Sequence, residues 1–513
     1  YGTNAIVNII TDDVKNAINV SSDTRYASKG RFTQSVNIDV NTGKFGSYTS
    51  YRRQQAEGWQ LNPYEENSKT HELEETGKVA STGFYANTVN QKFTFDATDK
   101  LSFYARGGYY DNKTRRPYEA YDYNILHETF NYGIGAQYMI NKGNYITADC
   151  YADHFSSSYC FFKDNKTYNG KAGEEQVRKR TRNHNLSIKG IFKLGNRHKL
   201  SVGTEYIVDV LKSQTDNIAK EDAYTLALFA QDEIKLLRNL QALIGVRYIY
   251  HENFKNHATP NVALMYKPGK FNFRASYAAG FRTPTLSELY ATDIAKKNDR
   301  LTIGNLDLKP EKNNYFSLSA EYVHERFSVS VNAFYNNIRD MIDYNTIATG
   351  DKAMEQYGHK EVRQRDNIAE AKVHGINVSA NAYLGAGFNL SGGYTHLNTQ
   401  DVELEQPIDK SIKNAYNINA QWAHSWKIYR LNINLNGRFN SKRFSKSYGY
   451  APEYQLWDLN TRHSFNLKSV IIEPGCGMEN LFDYMDDRPY NSNYATLTPG
   501  RSFYISLSLK FKS

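Results

Sequence analysis

Along nearly the whole chain, apolar and polar residues alternate. Leu240, Ala242, Ile244, Val246, Tyr248 and Tyr250 share one side of an extended backbone. Phe327, Val329, Val331, Ala333 and Tyr335 do the same, as do Ile376, Val378, Ala380, Ala382 and Leu384, and Leu431, Ile433, Leu435 and Phe439. The residues between them are mostly polar, for example Ser328, Ser330 and Asn332, or Arg430, Asn432, Asn434 and Asn436. A period of two marks strands with unlike faces, because successive side chains of an extended chain point to opposite sides. Short breaks such as NTGK at 41, NKGN at 141, KPGK at 267, GAG at 385 and NLKS at 466 supply the Gly, Asn and Pro that tight turns need. Longer segments, at 58–86, 163–180, 282–312, 340–370 and 483–500, are predicted as loops at the other ends of the strands. This short and long rhythm predicts about 22 antiparallel strands over residues 18–513, an even number as a closed barrel requires.

Composition decides what medium the apolar faces meet. Aromatic residues make up 14% of a chain whose mean hydropathy is −0.67. A transmembrane β-barrel reconciles the two, since alternate residues face lipid and a wet lumen and aromatic girdles mark both interfaces. Soluble sandwiches also alternate, but their Greek-key connections are of mixed length. No run of about 18 apolar residues offers a spanning helix. With 11 prolines against 41 tyrosines and 26 phenylalanines, and no linker, the 513 residues read as one all-β body. The net charge of +9 is spread along the chain, which argues against a nucleic-acid partner. Cys150 and Cys160 sit on one predicted strand, about 33 Å apart and beyond the reach of a disulfide. No nucleophile elbow, Cys-x-x-Cys, His-Glu-x-x-His or phosphate-cradling loop is present, so no enzyme is predicted.

YGTNAIVNIIT (1–11), YAAGFRTPTLSELY (277–290), GNLDLKPEKNNYFSLSAEY (304–322), NIAEAKVHGINVSANAYL (367–384) and ENLFDYMDDRPYN (479–491) together resemble TonB-dependent outer-membrane receptors of the Bacteroides type. Phe281, Arg282 and Pro284, and Asn305, Leu308, Pro310 and Glu311, match the paired boxes of that family. The resemblance implies that residues 1–17 are the C-terminal end of a plug domain, with the rest of the plug and the TonB box expected upstream. It implies residence in the outer membrane of a Gram-negative bacterium and import driven by the TonB–ExbB–ExbD complex. Phe511, near the end of the last strand, resembles the terminal aromatic read by the barrel-assembly machinery.

The expected cargo is a scarce large nutrient carrying cobalt or iron, with a cobalamin-type corrinoid placed first, haem second and a ferric siderophore third. No resident cofactor is required. A plugless passive porin and a docking barrel for a surface lipoprotein are the other readings. Histidine is the common axial ligand of haem, and aromatic rings stack on porphyrin, corrin or catecholate. On that basis His251, His257, His359, Trp59, Tyr121, Tyr290 and Arg282 are the candidate ligand-binding residues. The segment between the boxes, TLSELYATDIAKKNDRLTIG, holds no histidine, which lowers haem. Two partners are open to Arg282, a ligand or a carboxylate of the lumen. YMDDRPY and HELEE are candidate loop sites for calcium, which takes several oxygen ligands.

Overall fold

The computed structural model describes residues 17–512 apart from 68, 296–298, 495 and 497. The plug motif at 1–11 lies outside the described residues. Twenty-two antiparallel strands close into one barrel, from Ile18–Ala27 to Ser502–Lys512. The first and last strands pair with each other, Val20 opposite Phe511 and Ala27 opposite Tyr504, so the sheet has no free edge. A lipid-spanning sheet must close in this way, because an unpaired backbone group in hydrocarbon costs several kcal/mol. The predicted short turns all fall between consecutive barrel strands, for instance between Arg31–Asn41 and Phe45–Ala56 and between Tyr123–Asn141 and Asn144–Phe161.

Alternation sorts the side chains as the sequence predicts. On the last strand Ile505 is 65% exposed on the lipid side, whereas Ser502 and Ser508 are 2% and 9% exposed. Polar residues on the inner side bond across strands, as between the hydroxyls of Ser330 and Ser379 (2.7 Å) or from Asn419 Nδ2 to Asn434 Oδ1 (2.6 Å). Beside the short turns the outer face carries a belt of rings. Phe271 lies 4.9 Å from Tyr322, and Trp426 lies 5.6 Å from Tyr429. Aromatic side chains with one apolar and one wet side settle at a membrane interface.

The loop prediction at 340–370 is overturned, and that at 163–180 runs six residues too far, because residues 175–180 open the strand Glu175–Leu194. Residues 340–370 are not a loop: the strands Phe327–Thr349 and Glu361–Gly385 run far above the belt and are joined by the helix α1, Gly350–Tyr357. Gly358 ends α1 in the left-handed region at φ +70°, a conformation glycine takes without strain. Ala348, Ala353 and Val362 form a small buried core there, with Leu301 and Ile303 packed against it. Inside the predicted loop 282–312, the segments Thr292–Ala295 and Arg300–Ile303 form a hairpin, and Arg300–Ile303 pairs in parallel with 361–364.

Candidate functional site

Two groups of residues stand at the rim opposite the short turns. The two boxes build the first. Strand Phe271–Arg282 parts from its neighbour Lys255–Tyr266 beyond Ala278 but stays paired with Glu311–Val323 up to Arg282. Pro284, which has no N–H to give, ends the ladder, and Thr285 caps a short helix, Leu286–Tyr290. The Thr285 hydroxyl accepts from Glu288 N–H at 3.2 Å, and the Glu288 carboxylate accepts from Thr285 N–H at 2.8 Å. That carboxylate also takes Arg282 Nη1 at 2.9 Å, while Nε and Nη2 of Arg282 bind Glu311 at 2.8 and 2.6 Å. Burial would push Glu288 up, but Arg282 and the Thr285 bonds hold its carboxyl below the usual range. Glu311 raises the Arg282 guanidinium further, against burial. Of the two partners open to Arg282, the structure shows the carboxylates.

The other box residues hold this loop in shape. Leu308, Leu289 and Ile342 are buried together, with Phe254 and Tyr290 packed against them. Pro310 is buried, and Asn305 donates from Nδ2 to the Arg365 carbonyl at 3.0 Å. Phe281 packs on Ala227 and Ile249 and stacks on His257 at 4.7 Å. His257 donates from Nε2 to the Phe254 carbonyl at 3.0 Å, and the ring of buried His251 lies tilted against Phe254, 5.0 Å between centroids. Five predicted residues, Phe281, Arg282, Tyr290, His251 and His257, are thus brought to one side of the rim.

His359, Trp59 and Tyr121 lie elsewhere. His359 follows α1 and pairs through Nδ1 with Asp299 at 2.9 Å. Trp59 exchanges backbone bonds with Ser81. Tyr121 belongs to the second group, where the Arg116 guanidinium sits 3.5 Å from its ring centre and 4.8 Å from that of Tyr123. Tyr123, Tyr159 and Tyr168 touch one another, with centroids 4.0, 5.2 and 5.8 Å apart. Arg178 lies 4.9 Å from the Tyr168 ring and 5.4 Å from that of Tyr159. Its Nη1 donates to Gln214 Oε1 at 2.9 Å, while its Nε is sealed from solvent with no hydrogen-bond partner among the described residues. Burial raises Tyr168, keeping its hydroxyl protonated. A concavity of about 650 Å³ opens beside Tyr168, Arg178, Lys179 and Gln214.

Arg116, Tyr159, Tyr168 and Arg178 were not among the residues picked out from sequence. The available signal was compositional: TRRPYEAYDY at 114–123 and RKRTR at 178–182 concentrate arginine beside tyrosine. In the candidate calcium loops, Asp486 pairs with Arg488 at 2.8 Å and Glu74 accepts from Asn67 Nδ2 at 2.7 Å. Among the described residues no group of three or more His, Cys, Asp or Glu side chains gathers as for a metal ion.

Residues 19–473 match the family model described as TonB dependent receptor-like, beta-barrel. The chain belongs to that family. Solved structures of similar shape include a variant of the ferric enterobactin receptor PfeA of Pseudomonas aeruginosa, with a TM-score of 0.81 at 16% identity over 96% of this chain and 80% of that one. The siderophore receptor PirA of Acinetobacter baumannii gives 0.76 at 16% identity over 98% and 82%. The copper transporter OprC gives 0.75 at 10% over 97% and 80%. At these identities the likeness is one of fold. As a TonB-dependent receptor the barrel is a transporter of the Gram-negative outer membrane, coupled to energy through TonB, and not an enzyme.

Proposed function

We propose that this TonB-dependent receptor imports an anionic metal chelate bearing aromatic rings, a ferric catecholate siderophore being the class that fits best. The observation that carries this is the rim cluster in which Arg116 and Arg178 lie against Tyr121, Tyr123, Tyr159 and Tyr168. Guanidinium planes and phenol rings together suit a flat ring that also carries negative oxygen, through stacking and charge-assisted hydrogen bonds. The similar structures, a ferric enterobactin receptor and a siderophore receptor, support the same class. Haem asks for an imidazole open to the lumen. Here His251 is buried, and the segment between the boxes holds no histidine. A corrinoid, placed first from sequence, rests on the resemblance alone. Uptake would draw on the TonB–ExbB–ExbD complex, and Phe511, exposed on the lipid side, would be the handle for barrel assembly.

The test is fluorescence quenching of the purified full-length receptor by ferric enterobactin, hemin and cyanocobalamin. Ferric enterobactin is expected to saturate the signal, and R116Q/R178Q to weaken it roughly 30-fold, about 2 kcal/mol as for a binding hot spot. Saturation by cyanocobalamin or hemin alone would overturn the reading.

A further inference from the structure

The lipid-facing wall carries a cationic cluster, of which Arg180 and Lys212 also border the concavity beside Tyr168 and Arg178. Strand pairing places Phe130, His154, Arg182 and Val210 in one row, and Glu128, Ser156, Arg180 and Lys212 in the next. Both rows share the face of Ile134, Leu186 and Ile188, which are exposed to lipid. Arg180 and Lys212 are direct cross-strand partners, an arrangement in which like charges destabilise a sheet. Neither they nor Arg182 have an ion pair among the described residues. Glu128, on the far side of the patch, accepts instead from the Tyr109 hydroxyl at 2.9 Å and from Ser156 at 3.4 Å.

Depth fixes what this patch meets. Leu194 ends the strand Glu175–Leu194 beside a short turn, and Arg182 lies on the same strand and face. The separation is about 40 Å of strand, or about 28 Å of height at a 45° tilt, just above an apolar band about 25 Å tall. The three cations therefore stand at the headgroups of the extracellular leaflet. Toward the membrane centre from them the same face hollows into an apolar concavity of about 540 Å³. Ala105, Ala136, Ala148 and Cys150 form its floor, between Phe95 and Leu186.

We propose that this face binds a phosphorylated, several-chained glycolipid of the outer leaflet, of the lipopolysaccharide kind. Arg180, Arg182 and Lys212 hold the phosphates, which relieves the repulsion between the cross-strand cations, and the hollow takes an acyl chain. Arginine and phosphate pair in a planar, two-pronged geometry, and the headgroup region screens such a pair less than bulk water does.

The test is native mass spectrometry of the full-length receptor in detergent, titrated with bisphosphorylated lipid A, dephosphorylated lipid A and phosphatidylethanolamine. The bisphosphorylated form is expected to bind about tenfold or more tightly than either of the others. R180Q/R182Q/K212Q should erase that preference, and Ala148→Phe, which fills the hollow and leaves the charges intact, should weaken bisphosphorylated lipid A as well. Wild-type affinity in either variant, or equal binding of phosphatidylethanolamine, would overturn the assignment.

Discussion

Arg282 is held by two carboxylates, and removing it leaves both of them short of a partner. The side chain of Glu311 is only 10% exposed and that of Arg282 is 33% exposed, so the pair is sheltered without being fully dry. Arg282→Gln is expected to cost about 2–3 kcal/mol, below the value for a wholly buried pair. The change would be read as a lower temperature for loss of the folded band on a semi-native gel. Glu311→Gln added to it should cost less than the sum of the two single changes, because the residues share one interaction. The clamp also sets a pH dependence. Burial opposes the charge on Glu288, yet Arg282 and Thr285 leave its folded pKa lowered. Its contribution is therefore complete above the unfolded glutamate value of about 4.3 and is lost as the pH falls through the lower folded value. Pepsin cleavage within 283–310 should rise below about pH 4 in the wild type, and Glu288→Gln should flatten that rise.

At the scale of the strand, the period of two makes neighbours unequal. Val331 lies on the lipid face, 40% exposed, a few residues above the turn-side end of Phe327–Thr349. Val331→Arg should cost about 2–4 kcal/mol if the site is near the midplane. Asn332→Arg, which faces the lumen beside Ser319 and Asn377, should cost far less. Folding titrations into lipid vesicles measure both, and equal defects would contradict the alternation. This regularity is why the strands and short turns were legible from the sequence. The exception at 340–370 has a physical cause. The ladder shifts register between Ile338 and Met341 and again between Thr346 and Ala348, and Asp340 takes φ 56°. Each bulge moves the following residues to the other face, so the alternation breaks although the strand continues. The boxes around Arg282 were legible because their partners lie within a short stretch of chain. The Arg116 and Arg178 cluster was not, because its members come from separate strands and a loop that only the closed barrel brings together.

For the whole molecule, closure is the condition on which the rest depends. Ser502–Lys512 has the first strand on one side and Val470–Glu479 on the other, and Glu479 binds Arg31 across the seam at 2.6 Å. Ending the chain after Gly500 removes one strand and exposes two rows of backbone groups to hydrocarbon. No heat-modifiable folded species is expected from that truncation, whereas the single change Glu479→Gln should leave the folded band in place at a slightly lower transition temperature. At the mouth, the parallel ladder between Arg300–Ile303 and 361–364 bolts the segment that carries the boxes to the tallest wall, and Leu301 and Ile303 pack into the core beneath α1. That segment is a buttress, not a flap. A docked cargo pressing on this arc meets a wall held by strand pairing and a buried core.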